Sequence, residues 1–205
     1  MKIEGDARYI DAQGKRHSIE GIGSLPDATA LQSLNVSGSF SFGEISCDKV
    51  KIEGECFGKS LTAKNIFVSG SFEVDSVKVE ETFQVEGSVD SENISAAEIV
   101  METRGSKIEN INCNKIKIFH GESYDVAGSL FSNIFGGKNI RTQGSSRVRI
   151  GKIEAEKVDL QNCEVEEIHC KDAVINSNCV IEKLIVKGEC KVAADSKVGE
   201  IIKEE

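Results

Sequence analysis

Apolar and polar residues alternate along much of this chain, and the alternation recurs in short blocks rather than in long amphipathic runs. One block is an apolar residue, any residue, Gly, then Ser or Glu, then an apolar residue. It reads Val36-Ser-Gly38-Ser-Phe40, Ile52-Glu-Gly54-Glu-Cys56, Val68-Ser-Gly70-Ser-Phe72 and Val85-Glu-Gly87-Ser-Val89, in steps of 16, 16 and 17 residues, and returns as Val186-Lys-Gly188-Glu-Cys190. Between these copies lies a second block, in which an apolar residue is followed two positions later by a small one and the segment closes on two spaced apolar residues. Examples are Ile45-x-Cys47-x-x-Val50-x-Ile52, Leu61-x-Ala63-x-x-Ile66-x-Val68, Ile94-x-Ala96-x-x-Ile99-x-Met101 and Ile111-x-Cys113-x-x-Ile116-x-Ile118, with later copies at 153–160 and 168–175. Val77-x-Val79-x-x-x-Phe83-x-Val85 carries one extra residue.

A period of two over three to five residues is the signature of short strands with one buried face, and it does not fit a helix. Strands this short cannot bury their inward side chains alone, but stacked copies can, so a fixed period of this size implies a solenoid. The expected fold is all-β: a right-handed parallel β-helix with rungs of about 16–17 residues. The left-handed form is set aside because it needs an apolar residue every six positions, a beat this sequence lacks. Successive rungs sit ~4.8 Å apart, so roughly eight to ten of them would make a rod roughly 40–50 Å long. Val36, Ile52, Val68, Val85 and Met101 should form one inward column and Phe40, Cys56, Phe72 and Val89 another; Cys47, Ala63, Val79, Ala96 and Cys113 should stack where the coil is tightest.

Residues 1–35 lack the repeat and are expected to cap the first rung, with Ala7 to Glu20 as a hairpin. The β-helix domain is expected over 36–201, with an irregular or looped part near 119–149. Within that part, Ile118, Ile134 and Ile150 keep 16-residue steps and Val126-Ala-Gly128-Ser-Leu130 resembles the first block, which suggests two imperfect rungs with a loop around 135–138. Beyond Ile150 the steps shorten to 15 (Leu160 to Ile175) and 11 (Ile175 to Val186), so a narrowing of the coil is expected.

Composition narrows the function. The 205 residues carry a formal charge of -9, which repels phosphate backbones, and no Lys/Arg cluster forms a basic footprint, so no nucleic acid partner is expected. Seven cysteines and a charged opening, MKIEGDARYI, point to a reducing, cytoplasmic location. His17, His120 and His169 sit in no nucleophile or metal signature. Cys163 and Cys170 lie near His169, but alternation sends His169 to the opposite face, so no metal site is assigned there. Cys47, Cys113 and Cys170 fit the small-residue column. Cys56, Cys179 and Cys190 each follow a second block or its equivalent by four residues, and all six read as buried structural thiols. The repeated glycine is followed by no Lys-Ser/Thr and no helix; it marks a corner of positive φ rather than a phosphate cradle. No catalytic residue, cofactor or metal is assigned, and the chain is read as not an enzyme. A carbohydrate-active enzyme with clustered acids is one alternative, although long loops and aromatic sugar platforms are missing. A non-polymerising scaffold that docks partners on a flat face or the 120–149 part is the other.

The alternation of V-x-G-S-F with I-x-A-x-x-I-x-V every 16 or 17 residues resembles the bactofilins, or polymer-forming cytoskeletal proteins, over residues 34–118 and more loosely over 148–200. The resemblance implies a right-handed β-helix that assembles end to end through its terminal rungs into filaments without nucleotide. It also implies a scaffold for envelope or morphogenesis proteins, peripheral to the inner face of the membrane where it is recruited there. Many members carry a short apolar N-terminal tail and a Pro-rich terminus, whereas this chain opens on charges and holds only Pro26.

Overall fold

The structure is a computed structural model that describes residues 2–4, 16–103, 105–120 and 147–204. It is all-β, a right-handed parallel β-solenoid of about 9 turns with no helix among the described residues. The hand follows from strand twist, which lets a parallel connection pack back onto its own sheet almost only as a right-handed crossover. The strands are β1 (Lys2–Glu4), β2 (Arg16–Thr103), β3 (Lys107–Phe119), β4 (Val148–Leu160), β5 (Cys163–Ile175), β6 (Val180–Val186), β7 (Cys190–Val192) and β8 (Lys197–Lys203). β2 runs for 88 residues because its ladder continues around the corners of several rungs.

Every pairing is parallel, in the order β1-β2-β3-β4-β5-β6-β8, with β7 on β5. The registers give the rung length directly: Ile94 pairs with Ile111, Ile153 with Ile168, Ile168 with Leu184 and Leu184 with Ile201. The inward columns are continuous. Ala96, Cys113, Ala155, Cys170 and Val186 form the small-residue column, and Met101, Ile118, Leu160, Ile175 and Val192 form another. All residues of the three columns expected from the sequence are buried, from Val36 to Met101, Phe40 to Val89 and Cys47 to Cys113. Phe40 stacks on Phe42, and Phe72 tilts against Phe83, each with ring centroids 5.5 Å apart.

The corner glycines also stack. Gly21, Gly38, Gly54, Gly70 and Gly87 all have positive φ, and a Cβ on each of the last four would run into the carbonyl oxygen of the glycine one rung earlier. Only a residue without Cβ allows the backbone to turn there and the rungs to close.

Several expectations change. The ladder reaches back to Arg16, so residues 16–35, expected as a cap, are wound into the coil, with Ile19, Leu25, Leu31 and Leu34 buried. Gly21 is the first glycine of the corner stack, and Ile19-x-Gly21, 17 residues before Val36-x-Gly38, was a readable signal for it. The hairpin of Ala7 to Glu20 gives way where it is described, because Ser18, Ile19 and Glu20 pair parallel with β1; residues 7–15 lie outside the described residues. β3 pairs directly with β4, Ile108 on Ile150 and Ile118 on Leu160. Ile134 and the Val126–Leu130 block, expected in two imperfect rungs, lie outside the described residues. The coil does not narrow after Ile175: Val186 stacks on Cys170 and Val192 on Ile175, so the 11-residue step joined two different columns. Val186-x-Gly188-x-Cys190 accordingly is not a copy of the first block, and Gly188 is absent from the positive-φ corner stack.

Candidate functional site

The coil offers three kinds of surface: an end, a flank and an interior. At the C-terminal end, β7 and β8 carry inward-column residues on which no described rung stacks. Val192, over Ile175, is 39% exposed and Ile201, over Leu184, is 48% exposed, although Ile175 and Leu184 are 1% and 0% exposed. Cys190 and Val198, over Ala173 and Ile181, are only partly buried. One line of positions nearby is apolar as well, for Ile185 and Ile202 continue the line that holds Glu154 and His169 further back, while Lys191, Glu200 and Lys203 beside it are charged. An apolar strand edge with free column ends is a template for another strand.

Along one flank run two shallow open grooves. One, of about 1170 Å³, is lined by residues including Lys49, Lys51, Asn65, Phe67, Gln84 and Glu86. The other, of about 500 Å³, includes Lys115, Lys117, Lys157, Asp159, Val174 and Lys191. The register links Lys117 to Asp159, Asp159 to Val174 and Val174 to Lys191, so this groove follows the rung axis. Mixed charges spread along an open surface hold neither a dry cavity nor a convergent pair of acids.

A neighbouring column alternates in sign: Lys152, Glu167, Lys183 and Glu200 pair rung to rung. Glu167 is the hub. It accepts a hydrogen bond from His169 at 2.7 Å and lies 3.4 Å from Lys183 and 3.8 Å from Lys152, which itself lies 2.7 Å from Glu154. The hydrogen bond with His169, then that with Lys183, holds the Glu167 carboxyl below the usual carboxylate range; Lys152 does the same for Glu154.

His169 thus faces outward while Cys170 is buried, the opposite-face arrangement expected from alternation. His17 is buried within β2, and the His120 backbone N–H donates to Gln161 Oε1 at 3.4 Å. Among the described residues, no group of three or more His, Cys, Asp and Glu is placed to hold a metal ion.

Six cysteines are buried and Cys190 is partly so. Burial pushes the Cys56, Cys113 and Cys170 thiols up to about 12. Sequence reading missed the polar residues inside the coil, because alternation scores Ser as outward. Ser91 Oγ donates to the Val74 carbonyl at 2.6 Å, and Ser106 Oγ accepts the Val89 N–H at 2.9 Å and bonds Thr103 Oγ1. All three side chains are buried and satisfied by the rung before or by each other.

Comparison with protein-family models, with curated proteins and with solved structures found no match to this chain.

Proposed function

We propose that this chain is a structural scaffold, not an enzyme, and that it lengthens by stacking the terminal rungs of successive copies without a nucleotide. The observation that carries this reading is the open C-terminal rung: Val192 and Ile201 occupy core columns yet stand exposed. Stacking another rung on them would bury apolar area worth ~25 cal/mol per Å² and satisfy the backbone groups of the outer strand edge. The resemblance of the repeat to the bactofilins supports the same reading, and with it a place beside envelope or morphogenesis proteins. The flank grooves support a second role for the same rod, as the side on which such partners dock.

Sedimentation velocity across micromolar concentrations, salt and pH tests the proposal. Species that grow with concentration, and that Ile201→Asp reduces to single subunits, are expected. A wild-type protein that stays strictly monomeric throughout contradicts it.

A further inference from the structure

Cys163 and Cys179 occupy adjacent rungs of one inward column. β5 and β6 pair Glu164 with Val180, so the residues just before them are stacked, and the two cysteines are 0% and 1% exposed. Stacked residues of a parallel ladder lie ~4.8 Å apart, inside the Cα separation of roughly 4.4–6.8 Å that a disulfide spans. Their sulfurs donate to neighbouring carbonyls, Cys163 Sγ to Gln161 at 3.2 Å and Cys179 Sγ to Leu160 at 3.5 Å.

No other cysteine of this chain has such a neighbour in its column among the described residues. Cys113 stacks between Ala96 and Ala155, Cys170 between Ala155 and Val186, and Cys190 on Ala173. In β2, the repeat sets Cys47 beside Ala63, and Cys56 between Phe40 and Phe72.

We propose that Cys163 and Cys179 are an oxidisable dithiol which a hydroperoxide converts to a disulfide, stapling the β5 rung to the β6 rung. The chemistry divides between the two sulfurs. The neighbouring Cys163 thiol lowers the Cys179 thiol from its ordinary value, aided by the backbone amides of Cys163 and Asn162, whereas Cys179 and burial raise that of Cys163. Cys179 is therefore the thiolate that attacks, and Cys163 the resolving thiol.

Attack on the O–O bond of the peroxide transfers one oxygen to the Cys179 sulfur, giving a sulfenic acid and releasing hydroxide, which takes up the thiol proton as water. The Cys163 sulfur then displaces that oxygen as a second water. Two thiols lose two protons and two electrons, and one hydrogen peroxide becomes two waters. Access is short. Cys179 follows the turn at 176–178, and its N–H donates at 2.9 Å to Ser196 Oγ in the last layer of the coil, where local opening is cheapest.

The test is native full-length protein treated with millimolar hydrogen peroxide, alkylated after unfolding and mapped by mass spectrometry. A Cys163–Cys179 cross-linked peptide lighter by two hydrogens, lost again on reduction with dithiothreitol, is expected. Cys163→Ser, which keeps a hydroxyl donor beside Cys179 but cannot close a disulfide, should instead leave Cys179 as a sulfenic acid that dimedone traps. Both cysteines recovered as free thiols in wild type, or oxidation that falls on the other five while this pair stays reduced, overturns the proposal.

Discussion

Gly54 has φ +128, and a methyl group on its Cα would run into the carbonyl oxygen of Gly38. Gly54→Ala should therefore lower stability by roughly 3 kcal/mol, the upper end for a side chain forced into that backbone region, as read by urea unfolding. Val68, fully buried in the middle of its column, is more sensitive still: Val68→Asp places a carboxylate in a dry layer and should abolish folding, seen as loss of the β signal in circular dichroism. The partly exposed Glu167 behaves differently. Its carboxyl titrates lower in the folded state, so its network stabilises above the ordinary carboxylate range, and that contribution disappears as pH falls through the lowered value. The gap in melting temperature between wild type and Glu167→Gln should be small at neutral pH, since the site is solvated, and should close in acid. A gap that persists in acid would assign the effect to packing. At this scale the inward apolar residues and corner glycines were legible from alternation alone. Ser91 and Ser106 were not, because a hydroxyl satisfied by the preceding rung leaves no trace in a hydrophobic pattern.

Each rung was legible as an element wherever its copies kept both blocks, as over 36–118. Two regions escaped for different reasons. The rung at 16–35 keeps the second block's spacing at Leu31, Leu34 and Val36 but sets Leu31 where the other copies carry a small residue, so the block went unmatched along with Ile19-x-Gly21. In the C-terminal part the corners change chemistry: Asn162 and Asn178 adopt positive φ of 58 and 61 where earlier rungs use glycine. With the glycine landmark gone, Val186 was matched to the wrong column. These asparagines form their own ladder, Asn178 Nδ2 donating to Asn162 Oδ1 and Arg147 donating to Asn178 Oδ1 at 2.8 Å. Asn tolerates the left-handed region better than other residues with a Cβ, and its amide ties one corner to the next. Asn178→Ala should cost about 1–2 kcal/mol from the lost hydrogen bonds and the strained φ. Asn178→Gly should cost less than Asn178→Ala, because it keeps the backbone conformation. Thermal unfolding of the two variants checks the order, and a reversed order would show that backbone strain plays no part at this corner.

The whole molecule is a stack, so each layer is stabilised by the one below and the one above, and the end layers lack one of these. Amide exchange should be slowest in the middle of β2 and fastest in β7 and β8, where Val192 and Ile201 lie uncovered. Contacts in the core run across successive rungs, and the end-to-end growth proposed above would extend the same columns through a second copy. Electron microscopy of the purified protein at micromolar concentration, wild type beside Ile201→Asp, tests this most directly. Filaments one coil wide in the wild type, reduced to single short rods in the variant, are the expected result. Isolated rods in both preparations would contradict the account.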